Sequence, residues 1–209
     1  MNGNSKTLII GAILGLALAG AAMWWQRAGS GDDRFAQCRT STIAGGTAAI
    51  GGAFELVDET GRTVTDADVF DRPSLVYFGY TFCPDVCPLD AARNAEAVDI
   101  LKSRGYDVRP VFISIDPARD TPEVLAEFTD YLHPDMLGLT GTPEQVKAAS
   151  QAYKTYFRKQ EGDDEYYLMD HSTFTYLVLP EIGFVEFFKR DDSAEKMAET
   201  VACYIDAAR

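Results

Sequence analysis

The chain has 209 residues, enough for one ordinary domain plus an appendage, and its 46% hydrophobic content supplies a real core. A formal net charge of −13 leaves no basic patch to neutralise phosphates, which argues against nucleic acid as a partner. An acidic surface of this kind keeps a domain soluble and attracts basic partners without naming one.

Leu8 to Trp25 is a run of eighteen residues without a charge, just long enough to span a bilayer as a helix. Lys6 precedes it, and Trp24-Trp25 closes it where an interfacial aromatic belt would sit. Residues 8–25 are therefore expected to form a single membrane anchor, with residues 1–7 as a short cytoplasmic tail. The rival reading is a cleaved signal peptide, because Ala17-Leu18-Ala19 resembles a small-residue cleavage pattern. The apolar run continues for six residues beyond Ala19, which favours the anchor. Both readings export the remainder of the chain. Residues 26–44 contain Gly29-Ser30-Gly31-Asp32-Asp33 and read as a flexible tether, leaving 45–209 as the folded domain.

Within that domain, Phe54 to Asp58 alternates, Glu59-Thr60-Gly61-Arg62 supplies a turn and Thr63 to Thr65 resumes, which predicts a hairpin. Ser74 to Tyr80 reads as a buried strand, followed by a helix from about Pro88 to Ser103 with Ala91, Ala95, Val98 and Leu101 on one face. Val108 to Ile115 is a second buried strand. Thr121 then reads as an N-cap, with Pro122 at the first position of a helix ending near Leu132. Met136 to Leu139 is a short strand, and Thr142 caps a helix that runs to about Tyr153. Tyr156 to Gln160 and Tyr166 to Met169 flank an acidic turn. Thr173 to Leu179 and Phe184 to Lys189 form a hairpin, and Ser193 to about Ala207 is the last helix, with Ala194, Met197, Ala198, Val201 and Ile205 facing inward. This order predicts an α/β sandwich with a mixed sheet in a thioredoxin-like layout.

The chemistry gathers after the Ser74–Tyr80 strand, at the carboxyl end where α/β sheets place their sites. Cys83 and Cys87 stand there at the start of a helix, whose unpaired N–H groups favour thiolate over thiol. Redox motifs of the thioredoxin type separate their cysteines by two residues. Here the spacer is the three residues Pro84-Asp85-Val86, which leaves room for an ion, although such a pair can also close a disulfide. Two thiolates under-coordinate most transition metals, so a third ligand is expected. The chain has only two histidines. His133, in Leu132-His133-Pro134, reads as an exposed or capping residue at a helix end. His171 lies just before the Thr173–Leu179 strand, in the loop where thioredoxin-like redox enzymes carry a cis-proline. No proline occurs between Pro143 and Pro180. A lone histidine before a strand is ordinarily structural, but beside Cys83 and Cys87 it becomes a ligand candidate. Two thiolates and an imidazole suit copper, since Cu(I) accepts three-coordinate sulfur–nitrogen sites. Zinc would require a fourth ligand, for which Asp85, Asp170 or water would serve, although Asp170 reads rather as a supporting acid.

Three segments carry a resemblance. Tyr77-Phe78-Gly79-Tyr80-Thr81-Phe82-Cys83-Pro84-Asp85-Val86-Cys87-Pro88, then Ile113-Ser114-Ile115-Asp116-Pro117-Ala118-Arg119-Asp120-Thr121-Pro122, then Asp170-His171-Ser172 resemble, in order, the motifs of the Sco/SenC family of copper-binding proteins. The likeness runs from about Gly51 to the C-terminus. It implies a membrane-tethered thioredoxin-like domain that binds one copper through Cys83, Cys87 and His171 and helps assemble the binuclear copper (CuA) centre of cytochrome c oxidase subunit II. The implied partners are that subunit, or another copper-receiving oxidase subunit, and other copper chaperones. The implied location is the inner membrane, single-pass, with the domain in the periplasm, or in the mitochondrial intermembrane space of a eukaryote. A chaperone turns nothing over, so no enzymatic activity is expected. The competing readings are a thiol-disulfide reductase that keeps the target's cysteines reduced, and a copper-linked redox sensor. A peroxidase would need an activating arginine, for which Arg119 is the sole candidate.

Cys38 and Cys203 lie outside those motifs. Export to an oxidising compartment favours a disulfide between them over two unpaired thiols. Such a bond closes a loop of more than 160 residues, for which the chain-entropy model gives at most about 5 kcal/mol. The Asp116–Thr121 segment reads as turn and cap chemistry that serves as scaffold near the site.

Overall fold

The computed structural model describes residues 33–42, 46–162 and 166–209. The expected anchor over 8–25 and the first part of the tether lie outside the described residues. Among the described residues no helix is long and apolar enough to cross a membrane.

The organising element is β3 (Ser74–Gly79), all six residues of which are buried. A strand apolar on both faces must be covered on both, and this fits the centre of a sheet. It lies between β4 (Arg109–Ser114), which it pairs in parallel, and β8 (Thr175–Leu179), which it pairs antiparallel. Beyond β4 come β5 (Leu137–Thr140), β1 (Glu55–Asp58) and β2 (Thr63–Thr65); beyond β8 comes β9 (Gly183–Phe188). The seven-stranded order is β2-β1-β5-β4-β3-β8-β9, with β3, β4 and β5 parallel and the outer strands antiparallel. This is the mixed thioredoxin-like sheet that the element order predicts.

The helices are α1 (Asp66–Val69), α2 (Val86–Ser103), α3 (Pro122–Leu132), α4 (Pro143–Ala152) and α5 (Ala194–Ala208). The short α1 is absent from the sequence reading. One turn carries too little periodicity to register, yet Thr65 and Asp68 close a reciprocal capping box around it. Thr121 and Thr142 cap α3 and α4 as expected, each with proline in the first turn. The predicted inward faces of α2 and α5 are buried at every named position, and the two helices pack on each other.

The domain starts earlier than composition suggests. The compact unit is Cys38–Arg209, so residues 38–42 are not free tether. Cys38 is bonded to Cys203, with 5.6 Å between their Cα atoms. Glu186 on β9 is fully buried and accepts hydrogen bonds from Thr40 N–H at 2.9 Å, from the Ser41 hydroxyl and from Tyr204 OH at 3.2 Å. A buried carboxylate needs such donors, and small polar residues that look like linker supply them.

Candidate metal centre

The chain leaves β3 at Gly79, where a side chain would strike the Tyr77 ring at 2.8 Å and the Phe112 ring at 3.0 Å. Only glycine lets those rings close beneath the next loop. Thr81 then ties that loop to the end of β4. Its N–H and hydroxyl donate to Asp120 at 3.1 and 2.6 Å, and Asp120 also accepts from the Ser114 hydroxyl at 2.5 Å. Burial raises the Asp120 carboxyl above the usual aspartate range despite these bonds. The Asp116–Thr121 segment thus acts as scaffold, as its turn chemistry suggests.

Asp85 occupies the N-cap of α2, but its side chain caps nothing. The role falls to Cys83, whose Sγ accepts the Cys87 N–H at 3.4 Å. The two thiols consequently differ. Burial pushes the Cys83 thiol up, but N–H groups of Cys87, Asp85 and Val86 outweigh it and bring the thiol below its ordinary value. Cys87 is fully buried, and burial pushes its thiol well above the ordinary range. The helix N-terminus therefore favours thiolate at Cys83 alone, whereas the sequence pattern assigns it to both.

His171 arrives on a separate two-stranded ribbon, β6 (Phe157–Lys159) paired with β7 (Met169–His171). It is the last residue of β7, opposite Phe157, and not simply a loop residue before β8. Its Nδ1 donates to the Ser172 carbonyl at 2.8 Å, since a carbonyl can only accept. That leaves Nε2 as an acceptor aimed at the cysteines, and without metal it takes the Cys87 Sγ–H at 3.3 Å. Burial lowers the imidazole below its ordinary value, which keeps it neutral and able to bind a metal. The Tyr77 and Tyr80 rings meet it edge-on at centroid distances of 6.2 and 5.8 Å.

Cys83, Cys87 and His171 each bring one donor atom to within 4.8 Å of the others. Both thiols are free. Among the described residues no carboxylate joins this group. Asp85 is exposed, and Asp170 turns to Arg158 at 2.8 Å and Gln160 at 2.6 Å. The fourth ligand that zinc prefers is therefore not supplied by either acid, and a buried pair of sulfurs with one half-buried imidazole fits a soft, low-coordinate ion. His133 lies elsewhere. It is a buried C-cap of α3, not an exposed residue, with Nδ1 accepting the Asp135 N–H at 3.0 Å.

Two supporting tyrosines are hidden from a sequence reading, because aromatics in an apolar strand read as core. Tyr77 OH donates to the buried Asp90 at 3.0 Å, and Tyr80 OH accepts the Met169 N–H at 3.2 Å. Arg119, the candidate for peroxide activation, is committed to Asp116 at 2.6 Å, and its terminal nitrogens are buried.

Residues 43–206 match the family model described as SCO1/SenC. The chain is 58% identical over 175 residues to protein SenC of Rhodobacter capsulatus, across 84% of this chain and 79% of that one. The crystal structure of Arabidopsis thaliana ScoI with copper bound matches with a TM-score of 0.72 at 39% identity, over 76% of this chain and 99% of that one. The structure of Bradyrhizobium japonicum ScoI with copper bound matches with a TM-score of 0.68 at 35% identity, over 75% of this chain and 99% of that one.

Proposed function

Because the chain belongs to the SCO1/SenC family, we propose that it is a copper metallochaperone that carries one copper ion on Cys83, Cys87 and His171 and delivers it to the CuA centre of cytochrome c oxidase subunit II. The observation that carries the reading is the convergence of two free sulfurs and one neutral imidazole with no carboxylate among them. Those donors disfavour magnesium and suit a soft ion such as Cu(I), which accepts three-coordinate sulfur–nitrogen sites without the fourth ligand zinc prefers. Copper-bound relatives of the same fold support the choice of ion. The ion is cargo, so no substrate is turned over. The uncharged Leu8–Trp25 run supports a membrane tether that holds the domain in the periplasm, beside a membrane-bound acceptor.

The test is transfer. Copper-loaded protein is mixed with the copper-free, reduced soluble domain of subunit II, and the visible absorption of CuA is followed. Growth of that absorption with matching loss of copper from the chain is expected. Retention of copper by the chain, or CuA formed no faster than from free copper ions, would refute delivery.

Cys83 favours a second reading. A thiol whose N–H partners bring it below its ordinary value attacks disulfides readily. As a reductase, the Cys83–Cys87 dithiol would give two electrons and two protons to a target disulfide and itself become a disulfide. His171 separates the two activities, because dithiol exchange needs no imidazole ligand.

A further inference from the structure

His171 reaches the cysteines on a ribbon that shares no ladder with the main sheet. A two-stranded ribbon is marginal by itself, so contacts outside it must set where β7 lies. One side-chain cluster supplies several of them, beside the Met169 N–H bond to Tyr80 OH and the packing of Phe157 and Met169 on the core. Tyr167, four residues before His171, is buried and donates its hydroxyl to Asp116 Oδ1 at 2.6 Å. Arg119 Nε donates to the other oxygen of Asp116, also at 2.6 Å. The Arg119 guanidinium lies 3.6 Å from the Tyr167 ring centroid, 4.6 Å from that of Phe82 and 5.8 Å from that of Tyr80.

Arg119 thus stands between the two halves of the donor set. Phe82 and Tyr80 belong to the cysteine loop, while Tyr167 leads into the ribbon. Its Nη1 and Nη2 are buried without a hydrogen-bond partner. Buried guanidinium nitrogens normally find acceptors; here three aromatic rings and the Asp116 carboxylate replace them. Asp116 and Arg119 sit on the scaffold segment after β4, which is rigid because Asp120 is tied to Ser114 and Thr81.

We propose that Asp116, Arg119 and Tyr167 form a latch that positions His171 against Cys83 and Cys87, and so controls how long copper is held. They are positioning residues, and none of them belongs to the donor set itself. The consequence for copper rests on the metallochaperone reading; the placement of the ribbon does not.

The experiment uses the full-length chain with Arg119→Ala and, as the milder change, Tyr167→Phe, which keeps the ring and loses the bond to Asp116. In metal-free protein, amide hydrogen exchange at Met169 and His171 should quicken by about tenfold in Arg119→Ala and by less in Tyr167→Phe, the size expected for a charge-assisted hydrogen bond. Leu75 to Phe78 of β3 should keep their protection. In copper-loaded protein, release to the Cu(I) chelator bathocuproine disulfonate should quicken about tenfold in Arg119→Ala. In a His171→Ala background the same substitution should change release little, because the latch acts through the imidazole. Unchanged ribbon exchange in both variants would overturn the latch, as would loss of protection spread equally over β3. Equal acceleration of copper release with and without His171 would also overturn it. A ribbon that loosens in a protein that binds no copper would uphold the latch and refute the copper reading instead.

Discussion

Replacing His171 by alanine is expected to weaken copper binding by at least about a hundredfold while leaving the reactivity of the thiols largely as it is in the parent protein. Loss of a group that merely orients a ligand costs about 10- to 100-fold in metal affinity, so loss of a ligand itself should cost no less. The change leaves two sulfurs and no other histidine, cysteine or carboxylate donor within reach among the described residues. Its cost to folding should be small, about 1 kcal/mol, because His171 is only half-buried and is held by edge-on contacts with Tyr77 and Tyr80. The measurement is competition with a Cu(I) chelator of known affinity, beside thiol titration. Unchanged affinity would remove the imidazole from the site.

In metal-free protein, Cys83 is expected to be alkylated by iodoacetamide about a hundredfold faster than Cys87 at neutral pH. Both effects point the same way. N–H groups of the α2 terminus bring the Cys83 thiol below its ordinary value of 9.0, whereas burial drives the Cys87 thiol far above it. The Cys83 rate should therefore climb with pH and level off below pH 9, while Cys87 stays inert across that range. Copper should protect both. Because Cys87 keeps its proton until metal arrives, binding must expel that proton, and affinity should rise with pH. Equal rates at the two cysteines, read by peptide mapping, would contradict this division.

Much of this is legible in the chain itself. The strand before the cysteines, the three-residue spacer and the caps at Thr121 and Thr142 are local chemistry, and each stands where its residues place it. The inward faces of α2 and α5 follow from helical period alone. Other features depend on contacts across long separations. The two arms that flank the acidic turn, Tyr156 to Gln160 and Tyr166 to Met169, are legible, but the pairing that carries the ribbon on to His171 is not, because Arg158–Asp170 pairs across it and no apolar alternation reaches His171. A helix terminus alone makes the two cysteines alike; burial, which divides them, arises only on packing. Arg119 reads as turn chemistry, since nothing near it in sequence reveals the Tyr167 ring 48 positions on. Composition misplaces the end of the tether because the buried Glu186 carboxylate that captures Thr40 and Ser41 lies at the far end of the chain.

The most direct test of the copper site is titration of the reduced full-length protein beside Cys83→Ser, Cys87→Ser and His171→Ala. One tightly bound copper per chain is expected, with thiolate-to-Cu(II) charge-transfer bands in the oxidised form and a marked loss of affinity in each of the three variants. Absence of tight copper in the parent protein, or full affinity retained in any one variant, would contradict the three-donor copper site.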